Sequence, residues 1–535
     1  MGGQKTQAPQ AAEEGLRASL QMMREPEAQA GYHTCMPSRQ SPPLRLRRAV
    51  AAALIPLLLA APLAPAFAQP AGLPDLGEMS AQDLSPLLEQ RLGRAIMVES
   101  RRDPAYIDDL DLRAYLNRIA QKLVAHAPGG GIDIEVFPVR DGSVNAFAMP
   151  GGFIGVNAGL VTSTRTESEL AGVVAHEIGH VVQRHIARGL SAQKDTMVIM
   201  LASLLAALAA SQAGGQGPEA ALVIGQAMAV DSQLTFSRGA EREADRTGFE
   251  MLKGAGFDPA GMVSFFGRMA QMSSLNEGTG QVFARSHPLS LERMSDMQNR
   301  ARELSASHYA DSVDYLYVRA KLRVLQADGV NALLEAIRAL GYQGDENKGT
   351  TRSAAYYGVS VGWVLRKDAA QAQAAYVKAT AGGVEHPMLA RLAVDIALLQ
   401  DRPEDAVKLA QAAHARWPDQ HSLGLAVAES LQRANRHEEA IVELNKLATA
   451  WSDEPKIYQM LADSHAKLRH LIPEKRNLAE YYRRVGALPA AVQVLQQARI
   501  ASKDFYEQSS IDAALADVKR EADDERELLQ QFRKN

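Results

Sequence analysis

Apolar residues recur at helical intervals from Gln69 to about Val136. Leu112, Leu116 and Ile119 are separated by four and three residues, so they fall on one face of a helix. The pattern predicts amphipathic helices joined by short loops in this part of the chain.

The pattern changes to that of β-strands between Ile132 and Val161. Two runs rich in β-branched and aromatic residues, IDIEVFPV and SVNAFAMPGGFIGVNAGLV, are typical of strands, and Pro150-Gly151-Gly152 marks a turn within the second. Helical spacing resumes at Thr166 and continues to about Ala301. The predicted fold of residues 69–308 is therefore α+β, mainly helical with a small β-sheet.

The region beyond Tyr309 is predicted to be purely helical and to repeat. Alanines at equivalent positions follow one another at 34 residues: Ala372, Ala406 and Ala440. This is the period of the tetratricopeptide repeat, so residues 309–535 are predicted to form an all-α tetratricopeptide-repeat domain. The next similar alanine, Ala491, comes 51 residues after Ala440, which indicates an insertion or a slip of register. An ordinary helical bundle is the alternative.

Residues 1–68 are predicted to be an N-terminal extension and a signal peptide. Three arginines precede a short apolar run, and small residues then lead to Ala66-Phe67-Ala68, which predicts cleavage after Ala68. A membrane anchor is the alternative, but prolines interrupt the run and it is shorter than the ~20 apolar residues of a span. The stretch before the arginines is polar, so Met36 is a better start for a signal peptide than Met1.

The composition excludes several classes of function. A chain with 46% hydrophobic and 22% charged residues buries real cores, which rules out wholesale disorder. The formal net charge is -4, from 58 Lys+Arg against 62 Asp+Glu, so no basic excess favours nucleic acid. The single cysteine, Cys35, precedes the predicted cleavage site. A mature chain without thiols excludes disulfides, thiolate zinc sites and cysteine nucleophiles.

The strongest chemical motif is His176-Glu177-Ile178-Gly179-His180, in a predicted helix that begins with a capping box at Thr166 to Glu169. Four positions place His176 and His180 one turn apart on one face, so both imidazoles can reach a single ion. Glu177 can then address a metal-bound water. A surface helix with two histidines is the alternative, but the surrounding residues are apolar or small, and burial without a ligand or partners is costly.

A hydrolytic zinc site needs a third protein ligand and an open position. A third histidine six residues after the second is excluded, because that position is Ile186. His185 lies about 140° around the helix from His180 and is interpreted as an ordinary polar residue. Glu241 and Asp245 share a helical face, so one carboxylate can bind the metal while the other orients a ligand histidine. Taken alone, such a pair more often marks a solvated helix face.

In combination these motifs resemble a known family. HEIGH, the later EREAD, the preceding NAFAMPGGFIGVNAGL and Ser286-His287-Pro288-Leu289 are together similar to the zinc metallopeptidases that include CAAX prenyl proteases and the HtpX heat-shock protease. The signal peptide and the repeats make the likeness closest to periplasmic members of that family. The resemblance implies one Zn²⁺ per subunit with the ligands His176, His180 and Glu241, the general base Glu177 and the supporting carboxylate Asp245.

Two further roles rest on the resemblance. In periplasmic relatives a histidine at the position of His287 can close the open metal position in a resting state, so His287 is a candidate fourth ligand and switch. The alternative is a histidine that merely precedes Pro288 before a helix. Arg293 is a candidate to stabilise the oxyanion, with a surface arginine as the alternative.

Residues 145–156 have two interpretations. An edge strand near the active helix can pair with an extended peptide substrate through main-chain hydrogen bonds. The alternative is a plain β-hairpin that packs the core. The residues predicted to bind substrate are Asn145, Ala146, Phe147, Gly151 and Gly152.

Residues 197–210, MVIMLASLLAALAA, are apolar but short for a membrane span. They are predicted to form a hydrophobic helix over or beside the catalytic cleft, in peripheral contact with a membrane or a partner. Burial within a monomer is the alternative.

The sequence thus predicts a periplasmic zinc metalloendopeptidase, exported across the inner membrane. The resemblance implies that it degrades unfolded or misassembled outer-membrane proteins and assists their assembly, with its repeats contacting the outer-membrane assembly machinery. The alternative is a non-proteolytic periplasmic chaperone or scaffold that binds partners through the repeats. No nucleic-acid partner is expected.

Overall fold

A computed structural model of the chain describes residues 85–192, 237–274, 281–303 and 309–534. Helices dominate these residues and accompany one small three-stranded sheet, so the predicted fold class is confirmed. The predicted signal peptide and the apolar stretch 197–210 lie outside the described residues. Across the ranges that are described, no helix is long and apolar enough to cross a membrane.

The first half of the chain mixes helices with the sheet. Its elements are, in chain order, α1 (Pro86–Ser100), α2 (Leu110–Val124), β1 (Glu135–Val139), β2 (Ala146–Met149), a 3-10 turn (Pro150–Gly152), β3 (Phe153–Asn157), α3 (Ala158–Ser163), α4 (Glu167–Val182), α5 (His185–Ala192), α6 (Arg238–Gly254), α7 (Ala260–Ser274), α8 (Gln281–Ser286) and α9 (Leu291–Arg302). The His176 motif lies in the second half of α4, and Glu241 lies in the first turn of α6.

The sheet has the strand order β1-β3-β2, with β1 parallel and β2 antiparallel to β3. The 3-10 turn joins β2 to β3, and its Gly151 and Gly152 have φ of 79° and 89°, a region that disfavours residues with a Cβ. Helix α1 lies close over this turn, since a Cβ on Gly93 would come within 1.9 Å of the carbonyl oxygen of Pro150. The β2-β3 hairpin is therefore held beneath α1.

Helix α4 begins with the predicted cap. The hydroxyl of Thr166 accepts a hydrogen bond from the backbone N–H of Glu169. The Glu169 carboxylate accepts hydrogen bonds from the backbone N–H of Arg165 and from the guanidinium of Arg268 on α7, both at 2.7 Å. The start of α4 is thus tied to a neighbouring helix.

Helices α4 and α6 cross at close range because glycines line their contact. A Cβ on Gly179 would lie 2.8 Å from the carbonyl oxygen of Ala244, and a Cβ on Gly248 would lie 3.0 Å from that of Ala175. This close crossing brings polar side chains of the two helices within reach of one another.

Substitution of Gly179 by alanine tests the importance of this crossing. Gly179→Ala is expected to lower the free energy of unfolding by about 1–3 kcal/mol, because the added methyl group overpacks the contact with Ala244. Urea denaturation followed by circular dichroism measures the change. The matched control is Gly341→Ala, where nothing lies within 4 Å of the added Cβ. Equal stability of both variants would contradict the expectation.

The second half is helical throughout its described residues. Its elements are α10 (Val313–Leu325), α11 (Gly329–Glu346), α12 (Gly349–Leu365), α13 (Ala369–Thr380), α14 (Pro387–Leu399), α15 (Pro403–Arg416), α16 (His421–Arg433), α17 (His437–Ala450), α18 (Pro455–Lys467), α19 (Leu471–Arg484), α20 (Leu488–Ala501) and α21 (Phe505–Lys534).

The backbone of this half repeats at the interval of the alanines. Four residues with φ between 55° and 60° lie 34 residues apart, in turns between helices: Lys367, Asp401, Asn435 and Arg469. The 51-residue interval from Ala440 to Ala491 contains one additional helix, α19, whose start precedes that of α20 by 17 residues, half a repeat. The helices thus recur as paired units, and the assignment to the tetratricopeptide class remains a prediction.

The two predicted domains are in direct contact. Lys321 of α10 lies 2.5 Å from Asp109 at the start of α2, and Arg113 of α2 lies 2.5 Å from Glu454. The predicted boundary at residues 308 and 309 stays a prediction, because residues 304–308 are not described.

Candidate metal centre

Four side chains of the metal-binding type converge in the first half of the chain. His176 and His180 come from α4, Glu241 comes from α6, and His287 follows α8 directly. Each residue is at most 1% exposed. The close crossing of α4 and α6 is what brings the carboxylate to the two imidazoles, although the motifs are far apart in the sequence.

The donor atoms form a compact cluster. His176 Nε2 lies 3.1 Å from His180 Nε2 and 3.2 Å from His287 Nδ1. The carboxylate oxygens of Glu241 lie 3.5 Å from His176 Nε2, 3.6 Å from His180 Nε2 and 3.3 Å from His287 Nδ1.

These separations fit a tetrahedral metal site. Zinc binds imidazole nitrogen and carboxylate oxygen at about 2.0–2.2 Å, which places its ligand atoms roughly 3.3–3.6 Å apart. The measured separations of 3.1–3.6 Å are close to that range. The donor set is therefore able to hold one divalent cation.

The protonation states also suit a cation. Burial raises the pKa of Glu241, but the charge of His287 and the hydrogen bonds with His176 and His287 outweigh burial and hold that pKa well below its ordinary value. Burial and the charge of His176 lower the pKa of His180 well below its ordinary value. An ionised carboxylate and a neutral imidazole are the forms that coordinate metals.

Asp245 and Arg293 surround the cluster. Asp245 Oδ1 lies 3.0 Å from His176 Nδ1. Burial lowers the pKa of His176, but hydrogen bonds with Asp245 and Glu241 raise it to about 9. Such a carboxylate orients the imidazole, so that Nε2 of His176 faces the cluster.

The Arg293 guanidinium is buried against both carboxylates. Its Nε and Nη2 donate to the two oxygens of Asp245 at 2.7 and 2.8 Å, and its Nη1 lies 2.7 Å from Glu241 Oε2. Arg293 is 2% exposed, so it is not a surface arginine. It compensates two buried negative charges, and the predicted oxyanion role stays a prediction.

Glu177 lies beside His287. The Glu177 carboxylate is fully buried, and its Oε1 lies 3.4 Å from His287 Nε2. His287 therefore contacts both the proposed base and the donor cluster. The structure brings together all the residues predicted for catalysis and metal binding.

His185 is not the ordinary polar residue that helical spacing predicts. It is 2% exposed, and its Nδ1 lies 2.9 Å from Nδ1 of His180. The prediction is wrong because α4 ends at Val182 and Arg184 adopts φ of 51°, so an angle counted along a continuous helix does not apply. Neither glycine nor proline marks this turn in the sequence.

The predicted substrate residues lie in and beside β2, which packs against α4. Asn145, Ala146 and Phe147 are at most 2% exposed, while Gly151 and Gly152 lie in the turn beneath α1. Burial of these side chains is what a hairpin in the core requires. Pairing of the β2 edge with a substrate stays a prediction.

Comparison with known proteins identifies relatives along most of the chain. Residues 107–301, which include the whole donor cluster, match the model of peptidase family M48. The chain is 32% identical to the beta-barrel assembly-enhancing protease of Yersinia pestis over 472 residues, which cover 86% of this chain and 93% of that protein. The protein of the same name from Escherichia coli K12 is 29% identical over 460 residues, 85% of this chain and 92% of its own length. Metalloprotease LoiP of Escherichia coli is 32% identical over 190 residues, 35% of this chain and 69% of that protein.

Proposed function

Since the chain belongs to peptidase family M48 and is a metalloendopeptidase, we propose that it is a periplasmic zinc enzyme that degrades misassembled outer-membrane proteins and assists their assembly. The observation that carries the proposal is the buried cluster of three imidazoles and one carboxylate beside Glu177. Similarity to beta-barrel assembly-enhancing proteases over more than four fifths of the chain supports the substrate class.

The proposed chemistry is hydrolysis of peptide bonds. His176, His180 and Glu241 would hold the zinc, which when bound supplies Lewis acidity that polarises the scissile carbonyl and activates water. Glu177 takes the proton of the attacking water and later passes it to the leaving amine. Asp245 keeps His176 in the tautomer that presents Nε2 to the metal.

His287 is proposed as the fourth ligand of a resting state. Its Nδ1 lies at a ligand-like distance from both His176 and Glu241, and its Nε2 contacts Glu177. In this position His287 competes with substrate and with the water that Glu177 would deprotonate. The carbonyl of Pro288, the next residue, accepts a hydrogen bond from Arg293 at 2.9 Å, which ties the His287 segment to the same carboxylate network.

Removal of His287 is expected to raise the basal rate of cleavage. If the closed state holds about 90% of the molecules, His287→Ala should increase the rate roughly 10-fold by freeing the fourth position. A fluorescent unstructured peptide measures the rate, and metal analysis checks that zinc is retained. His126→Ala, on an exposed position, is the matched control. A rate at or below that of the wild type with full zinc content would contradict the switch.

The location and the partners follow from the N-terminal and C-terminal parts of the chain. The predicted signal peptide with cleavage after Ala68 places the mature enzyme in the periplasm. The helical repeats would bind unfolded clients or the outer-membrane assembly machinery and raise the concentration of clients near the zinc. The same repeats support the second candidate function, a periplasmic chaperone or scaffold without proteolysis.

Metal removal tests the proposed function. A chelator is expected to abolish cleavage of casein and of an unfolded outer-membrane β-barrel precursor, and one equivalent of zinc per chain should restore it. Magnesium, which prefers six oxygen ligands, serves as the control and should not restore activity. Cleavage that persists in the metal-free protein would refute the zinc peptidase.

A further inference from the structure

The residues after α4 form a tight turn that returns the chain to the metal centre. Helix α4 ends at Val182, and Arg184 adopts φ of 51°. The Arg184 guanidinium lies 3.1 Å from Glu89 of α1, which holds the turn in place. His185, the first residue of α5, is thereby directed back to His180, and the centroids of the two rings lie 4.9 Å apart.

His185 connects His180 to an ion pair near the surface. Its Nδ1 lies 2.9 Å from Nδ1 of His180, and its Nε2 lies 3.1 Å from Oε2 of Glu243. The same oxygen of Glu243 lies 2.8 Å from Nη1 of Arg188. His185 is 2% exposed, whereas the Glu243 side chain is 43% exposed. The contacts therefore run from the donor cluster to the solvent.

The direction of each hydrogen bond follows from the chemistry at the two ends. An imidazole that offers Nε2 to a metal carries its proton on Nδ1. His180 then donates from Nδ1 to Nδ1 of His185, so His185 carries its own proton on Nε2 and donates it to Glu243. Arg188 donates to the same carboxylate, which remains an acceptor. Every hydrogen bond in the series has one donor and one acceptor.

We propose that His185 is a positioning residue of the metal centre, which fixes the tautomer and ring orientation of His180 as Asp245 does for His176. The inference rests on the proposed zinc endopeptidase. Hydrogen-bond partners of metal ligands typically change metal affinity 10- to 100-fold when they are removed. Loss of the acceptor at position 185 is therefore expected to weaken zinc binding by about that factor.

Two substitutions of His185 separate positioning from packing. His185→Leu keeps apolar bulk but removes the acceptor, whereas His185→Asn places Oδ1 where Nδ1 lies and keeps an acceptor for His180. Zinc affinity of the full-length variants is measured by competition with a chromophoric chelator. We expect the His185→Asn variant to bind zinc within about 3-fold of the wild type and the His185→Leu variant to bind 10- to 100-fold more weakly. A role in packing alone predicts that the leucine variant is equal to or better than the asparagine variant, which would overturn the proposal.

A substitution at the exposed end of the series tests it without disturbing the core. Glu243→Ala removes the acceptor of the His185 Nε2 proton, so His185 is free to adopt the other tautomer and no longer accepts from His180. Zinc affinity is expected to fall about 3- to 10-fold. Glu250→Ala, which removes another glutamate of α6 at an exposed position, is the matched control and should bind as the wild type does.

The outcomes distinguish this inference from the proposed function. A wild-type chain that binds no zinc refutes both. A wild-type chain that binds zinc and cleaves peptides, with equal zinc affinity in the His185→Leu, Glu243→Ala and Glu250→Ala variants, refutes the role of His185 alone. The proposal is supported if zinc affinity is highest in the wild type and the His185→Asn variant, lower in Glu243→Ala and lowest in His185→Leu.

Discussion

Glu177→Gln is expected to bind zinc like the wild type and to cleave peptide substrates about 10²- to 10⁴-fold more slowly. Glutamine has nearly the shape of glutamate but cannot take a proton from the attacking water. Glu177 is fully buried beside His287, so the substitution keeps the packing while it removes the base. Cleavage of a fluorogenic unstructured peptide at saturating concentration measures kcat, and metal analysis measures zinc content.

The controls for this variant lie in the same helix and in cells. Gln183→Glu, at the half-buried C-terminal end of α4, makes the opposite amide-to-acid change away from the donor cluster and should keep most of the activity. Expression of Glu177→Gln in cells that lack the enzyme also separates the two candidate functions. A peptidase predicts loss of client quality control, and a scaffold predicts that it is retained. Wild-type kcat in a clean Glu177→Gln preparation would remove Glu177 from the mechanism.

Arg293→Met is expected to lower the free energy of unfolding by about 3–5 kcal/mol. Arg293 donates to both oxygens of Asp245 and contacts Glu241, and all three side chains are at most 3% exposed. Methionine has similar length but no charge, so the variant leaves two buried carboxylates without their cation. Urea denaturation of the zinc-depleted protein, followed by circular dichroism, measures the loss.

A second arginine provides the matched control for this substitution. Arg242→Met removes an ion pair with Glu292 that is largely exposed, and it should change stability by less than about 1 kcal/mol. The oxyanion role predicted for Arg293 makes a different forecast: normal stability with kcat about 10²- to 10³-fold lower. Equal stability of the two methionine variants would contradict the charge-compensating role.

The sequence predicts the donor cluster because each half of it is local. The HExxH spacing places His176 and His180 on one face of a helix, and the ExxxD spacing does the same for Glu241 and Asp245. That the two helices meet could not be derived from spacing, and the resemblance to a family supplied it. The structure shows the physical cause, which is the glycine-lined crossing of α4 and α6.

His185 shows where sequence reasoning fails. Helical geometry placed it away from His180, but the geometry holds only while the helix continues. The left-handed conformation falls on Arg184, an ordinary residue stabilised by its contact with Glu89 of a distant helix. A tertiary contact of this kind leaves no mark in the local sequence, so the second imidazole contact of His180 could not be predicted.

The helical repeats show a smaller failure of the same kind. The spacing of Ala372, Ala406 and Ala440 predicts the 34-residue units, and the left-handed turns recur at the same interval. The slip before Ala491 was visible in the sequence, but its cause was not. The extra helix α19 has an ordinary amphipathic sequence, and only its packing between α18 and α20 identifies it as half a repeat.

Anomalous diffraction at the zinc absorption edge, from crystals of the mature wild-type enzyme grown with zinc, tests the central claim most directly. The account predicts one strong peak per chain, about 2.0–2.2 Å from His176 Nε2, His180 Nε2 and a carboxylate oxygen of Glu241. A map with no peak at that place, or with Glu241 turned away from the two imidazoles, would contradict it.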